Sequence, residues 1–160
     1  MKKMFVFVSY VSLAVLILKA GYSNAQTIVF SDSTFKNAEI SYKKSNVPSF
    51  VKRSIESACE CKIKLANPNR KFNYSDTRWN PFLPERQLIF IVKLHDMYIL
   101  NYIHGGLGTH VHCIILWTRG RKVEVVKSIW ISQSIDTFED LKASLLRNIY
   151  REVPPSYCAF

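Results

Sequence analysis

Between Gln87 and Ser132 the chain has room for little except β-structure. β-branched, aromatic and aliphatic residues crowd the segments 87–94, 97–104, 109–118 and 121–132, and only two to four residues separate one segment from the next. His95-Asp96 is expected to form the first turn, Gly105-Gly106-Leu107-Gly108 the second and Arg119-Gly120 the third. Turns this short join antiparallel neighbours. Three of the five glycines in the chain stand in the second turn, where backbone with positive φ is needed at no steric cost.

Around this block the elements are sparse. Thr27–Phe30 is a short β-branched and aromatic run, expected as a first strand. Pro48–Ala58 is expected to be helical, with Pro48 in its first turn and Phe50, Val51, Ile55, Ala58 and Cys59 on one face. Ala66–Glu85 carries Asn-Pro twice, a third proline and no apolar period, so it reads as a long loop. Asp136-Thr137 opens a final helix, with Glu139 and Asp140 placed for a capping box. Its buried stripe is Phe138, Leu141, Leu145, Leu146 and Ile149, and Pro154-Pro155 is expected to end it. These elements predict an α+β fold: a four-stranded antiparallel meander preceded by one helix and followed by a C-terminal helix, both helices on one face. The element order is similar to that of cystatin-like and nuclear-transport-factor-like domains, in which a curved sheet wraps a helix; no sequence motif of either group is present.

Residues 1–25 fit an export signal. Lys2 and Lys3 precede an apolar core from Met4 to Leu18, and Ser23-Asn24-Ala25 offers small residues for cleavage. The core is shorter than the ~20 residues that span a bilayer comfortably. The expected organisation is a signal peptide, 1–25, and one globular domain, 26–160, delivered to the periplasm or the medium. No later apolar run is long enough for a membrane span. Of 22 basic residues three fall in the signal, as do none of the 12 acidic ones, so the exported part stays cationic. Its surplus is concentrated in Lys36–Arg78, with ten basic and four acidic residues. Such a surface suits an acidic partner, whereas nucleic acid is a poor match without a recognisable binding module. In an oxidising compartment Cys59, Cys61, Cys113 and Cys158 are candidate disulfide partners. A Cys59–Cys61 bridge is the least favourable, which leaves Cys59 or Cys61 joined to Cys113 or Cys158 in either combination.

All four histidines lie between positions 95 and 112. If Leu94 pairs with Met97, His104 with Thr109 and Thr118 with Arg121, then Asn101, His112 and Lys127 line up across three strands of an otherwise apolar face, with His110 beside them. Convergent polar groups in an apolar cleft are a ligand-site pattern. The loop 66–85 supplies a second candidate surface, interleaving Phe72, Tyr74, Trp79 and Phe82 with Arg70, Lys71 and Arg78. The residues expected to bind a ligand are therefore Asn101, His110, His112, Lys127, Arg78 and Trp79. His110-x-His112 with His104, or with Cys59-x-Cys61, has the composition of a metal site. It lacks a supporting carboxylate and competes with disulfide formation, so the prevailing reading assigns no metal and no cofactor. No serine elbow or phosphate loop is present. Asn73-Tyr74-Ser75 matches a glycosylation sequon.

Two functions remain. The first is an exported non-enzymatic binding or protein-interaction domain for a protein, peptide or small molecule. The alternative is a small metal- or histidine-dependent hydrolytic enzyme using His104, His110 and His112.

Overall fold

The computed structural model describes residues 29–75, 80–106, 109–131 and 134–154, without the side chains of Glu124 and Val125. The proposed signal, Arg78, Trp79 and Cys158 lie outside the described residues, as do Thr27 and Ile28 of the expected first strand; its remaining residues, Val29 and Phe30, are not in a strand.

Four long strands occupy the β-rich block: β3 (Arg86–Lys93), β4 (Met97–His104), β5 (His110–Arg119) and β6 (Lys122–Trp130). They are consecutive and antiparallel, as the short turns require. The sheet does not stop there. It has seven strands among the described residues, because β1 (Glu39–Ser41) and β2 (Leu65–Ala66) share the outer edge of β3 and β7 (Arg151–Val153) joins the outer edge of β6. Among these seven strands only the β2–β3 pair is parallel. Covering part of each edge in this way shields backbone groups that would otherwise template association.

The four-stranded meander with both helices on one face is therefore not the fold. Helix α1 (Ser49–Ala58) lies on one face, where Val51 and Ile55 pack with Leu88, Leu100, Tyr102, Ile114 and Leu116. Helix α2 (Phe138–Leu146) lies on the other, where Phe138, Leu141 and Leu145 pack with Phe90, Ile99, Cys113, Ile115 and Ile129. The chain builds three layers with the sheet in the middle, so the comparison with wrapped-helix domains lapses. The cause is visible in the strands. Ile99 and Leu100, or Ile114 and Ile115, are neighbours on opposite faces and are all essentially solvent-free. Strands covered on both faces carry continuous apolar runs in place of alternation. A bulge between Leu88 and Phe90 lets both of those residues point inward, one toward each helix.

Helix α1 begins one residue after Pro48. Helix α2 is capped as expected: Thr137 Oγ1 accepts from the Asp140 backbone N–H at 3.2 Å, and the Thr137 N–H donates to the Asp140 carboxylate at 3.0 Å. It ends well before Pro154, however. Asn148 adopts a left-handed conformation (φ 54°), which turns the chain into β7 and leaves Ile149 exposed and outside the helical stripe. Among the described residues no helix is long and apolar enough to cross a membrane.

Two-sided burial gives a direct test. Ile114→Ala and Ile115→Ala remove methyl groups from opposite faces of one strand, and each should cost about 2–5 kcal/mol in urea unfolding. A sheet with one solvated face would leave one of the two substitutions nearly neutral.

Candidate metal centre

The site is set by the hairpin between β4 and β5. His104 pairs with His110, so five residues close the loop, not the four that the glycine pattern suggested. That single added residue reverses the faces of β5 relative to β4. Asn101 now stands opposite Cys113, and Cys113 opposite Ile129, on the α2 face. Tyr102 stands opposite His112, and His112 opposite Trp130, on the α1 face. The expected row Asn101–His112–Lys127 is thereby taken apart. Asn101 is buried and its Nδ2 reaches the Ile135 carbonyl at 3.5 Å, tying β4 to the segment before α2. Lys127 pairs with Ile115, and its ammonium meets the Glu152 carboxylate of β7 at 3.1 and 3.3 Å.

The same shift brings three histidines together. His104 ends β4, His110 begins β5 directly across from it, and His112 lies two residues along on the same face. Ring centroids are 4.5 Å apart for His110 and His112, 5.5 Å for His104 and His110, and 5.8 Å for His104 and His112. One nitrogen from each ring lies within 4.8 Å of the other two. Three points that close share a centre no more than about 2.8 Å from any of them, so small side-chain rotations reach the ~2.0–2.1 Å of a zinc–imidazole bond. His104 and His112 are buried and His110 is half-buried, which places the mouth on the His110 side. The fourth histidine, His95, is exposed in the β3–β4 turn at the other end of the strands.

The surroundings fix these rings. Tyr102 stacks on His112 with centroids 5.4 Å apart and planes 12° from parallel. Arg86, only 2% exposed, opens β3 opposite His104, and its Nη1 donates to Glu85 Oε2 at 3.4 Å. Burial, then the neighbouring His110, His104 and Arg86, pushes the His112 pKa down to about 3. It is therefore neutral at ordinary pH, the state a metal ligand needs. Burial likewise raises the Tyr102 hydroxyl far above its usual range, keeping it protonated. Sequence reading missed Arg86, which stands between Glu85 and Gln87 like an ordinary solvated charge, and Tyr102, because each gains meaning only from its partners across the strands.

The loop that follows β2 packs against this end of the sheet. Asn73 is buried; its Nδ2 donates to the Asn80 carbonyl at 2.8 Å and its Oδ1 accepts from the Asn80 N–H at 3.0 Å. Its backbone N–H donates to the Pro84 carbonyl at 2.7 Å. The sequon asparagine is thus engaged inside the fold. Gly105 meets this loop so closely that a Cβ there would fall 1.8 Å from the Asn73 carbonyl oxygen. Ser75 bridges to Gly106. Of the loop aromatics described, Phe82 is 92% exposed and Tyr74 is also exposed, while Phe72 is half-buried.

Two of the cysteines are free thiols: half-buried Cys61 and buried Cys113. The expected bridges through either one are not formed. Cys113 belongs to the α2 face, and the sheet separates it from Cys59 and Cys61 on the α1 face. No cysteine joins the metal-competent group among the described residues. The chain matches no protein-family model, no curated protein and no solved structure.

The depressed His112 pKa carries a sign. An unfolded chain binds this proton near pH 6.5, and the folded domain refuses it until about pH 3. The associated stability is complete above pH 6.5 and drains as pH falls toward 3, by on the order of 1.5 kcal/mol between about pH 6.5 and pH 5. Urea melts of metal-free protein should show a steeper loss over that interval for the wild type than for His112→Phe. Equal slopes would contradict the assignment.

Proposed function

We propose that the chain is an exported, non-enzymatic binding domain whose ligand is a first-row divalent metal ion held by His104, His110 and His112. The observation that carries this reading is the convergence of three imidazole nitrogens on one sheet face within 4.8 Å. Borderline ions such as Zn²⁺, Cu²⁺ and Ni²⁺ suit an all-imidazole set. Export rests on the three-part pattern of residues 1–25 and on the cationic, single-domain remainder.

Three protein ligands leave a fourth coordination position, and that position supports hydrolysis as the second reading. Titration calorimetry of metal-stripped protein should show one saturable site for at least one of the three ions, weakened at least about 100-fold in His110→Ala. Hydrolysis of an activated ester that disappears with chelator and returns with metal would move the assignment to an enzyme. Absence of saturable binding for all three ions would remove the proposal.

Export also bears on the cysteines. With Cys61 and Cys113 free, the bridge consistent with an oxidising compartment is Cys59–Cys158. Peptide mapping of the exported protein under non-reducing conditions should find that pair linked and Cys113 unmodified. Four reduced thiols and an intact Met1 would argue for a chain retained inside the cell.

A further inference from the structure

We infer that the α1 face carries a second site, separate from the histidines, for a single-chain anionic amphiphile. A cleft of about 550 Å³ opens between α1, the 3₁₀ turn Lys44–Asn46 and β2. That volume is within the ~300–1,000 Å³ usual for small-ligand pockets. Its apolar walls are the half-buried Val47, Leu65 and Pro84, backed by Ile55, Ile63 and Leu100, which are already almost solvent-free. Its rim carries Lys44, Lys52 and Lys64, all exposed, and no acidic residue lines it.

The two halves of the cleft ask for different chemistry. The half-exposed apolar walls gain from alkyl burial at roughly 25 cal/mol per Å². A ring of ammonium groups at the mouth favours a negative headgroup and repels a positive one. The mouth is also preformed. The Lys44 backbone N–H donates to Asn67 Oδ1 at 2.8 Å, which fastens the 3₁₀ turn to the strand-end loop across the opening. Glu56 sits 3.9 Å from Lys52 and 3.9 Å from Lys62, and its Oε1 accepts from the Ile63 N–H at 3.1 Å. It offsets Lys52 in part. Lys44 and Lys64 form no ion pair among the described residues and supply most of the attraction. This is where the lysine surplus of residues 36–78 acquires a structural address. A carboxylate, phosphate or sulfate on one alkyl chain matches both halves, whether it derives from a free fatty acid or a lysolipid.

The test uses the full chain after export and a dansyl-labelled undecanoic acid as the reporter. Laurate and lauryl phosphate should displace the reporter in competition. Lauryl alcohol should compete at least about tenfold more weakly, and dodecylamine should not compete. The double variant Lys44→Glu/Lys64→Glu changes only exposed side chains, so its melting temperature serves as the folding control; it should bind the reporter at least about tenfold more weakly. Chelator-treated and zinc-loaded protein should bind it equally well, which separates this site from the metal centre. Equal competition by the acid and the alcohol, or an unaffected charge-reversal variant, would overturn the inference. So would flotation with phosphatidylglycerol vesicles in the absence of laurate binding, since that result assigns the lysines to a headgroup layer.

Discussion

The pairing of His104 with His110 decides which side chains of β4 and β5 share a face, and the rest of the molecule follows from it. In this register the apolar residues divide cleanly into two sets, one beneath each helix. It also places Tyr102 under His112 and three imidazoles at one corner of the sheet, where the β3–β4 register sets Arg86 beside His104. Moving the pairing by one residue would expose neither set to water, because both faces are covered, yet it would scatter every polar group in the site. The register is held by what surrounds the hairpin: the β3–β4 ladder on one side, the β5–β6 ladder on the other, and Gly105 lodged against the backbone of Asn73.

Much of the secondary structure was legible in the residues, for identifiable reasons. The four long strands, helix α1 and the Thr137 cap rest on local chemistry: turn residues, one-sided helical spacing and a Thr-x-x-Asp pair. The layer arrangement departs from the one-faced expectation, although its sign is in the strands. Continuous runs such as Leu88–Val92 and Cys113–Leu116 mark strands buried on both faces, and a single covering helix cannot explain them. Strands β1, β2 and β7 are two or three residues long, too short for any alternation to show. The histidine group was half legible. His110-x-His112 declares itself, but the membership of His104 depends on loop length, and a glycine-rich turn fits four residues as easily as five. Asn101 and Lys127 have the opposite parity to His112, and each has a structural partner on the other side of the sheet.

The two ends of the α1 face are built on different energetics. Beneath the helix, Val51, Ile55, Leu100 and Ile114 pack as an ordinary apolar core. Toward the hairpin, Arg86, Tyr102, His104 and His112 are buried together. Apolar residues of similar shape would be as stable there or more so, since each buried polar group must recover its lost hydration from its neighbours. Local rules are broken in this way at functional sites, and on the α1 face they are broken at the hairpin corner.

Cys113 lies at the centre of the α2 face with its thiol fully enclosed and its ionisation strongly suppressed by burial. A thiol in that state reacts with an alkylating reagent only after the sheet has parted from α2. The rate at which Cys113 acquires a label under native conditions is therefore a clock for the opening of that layer. The chain carries its own reporter of how long it stays closed.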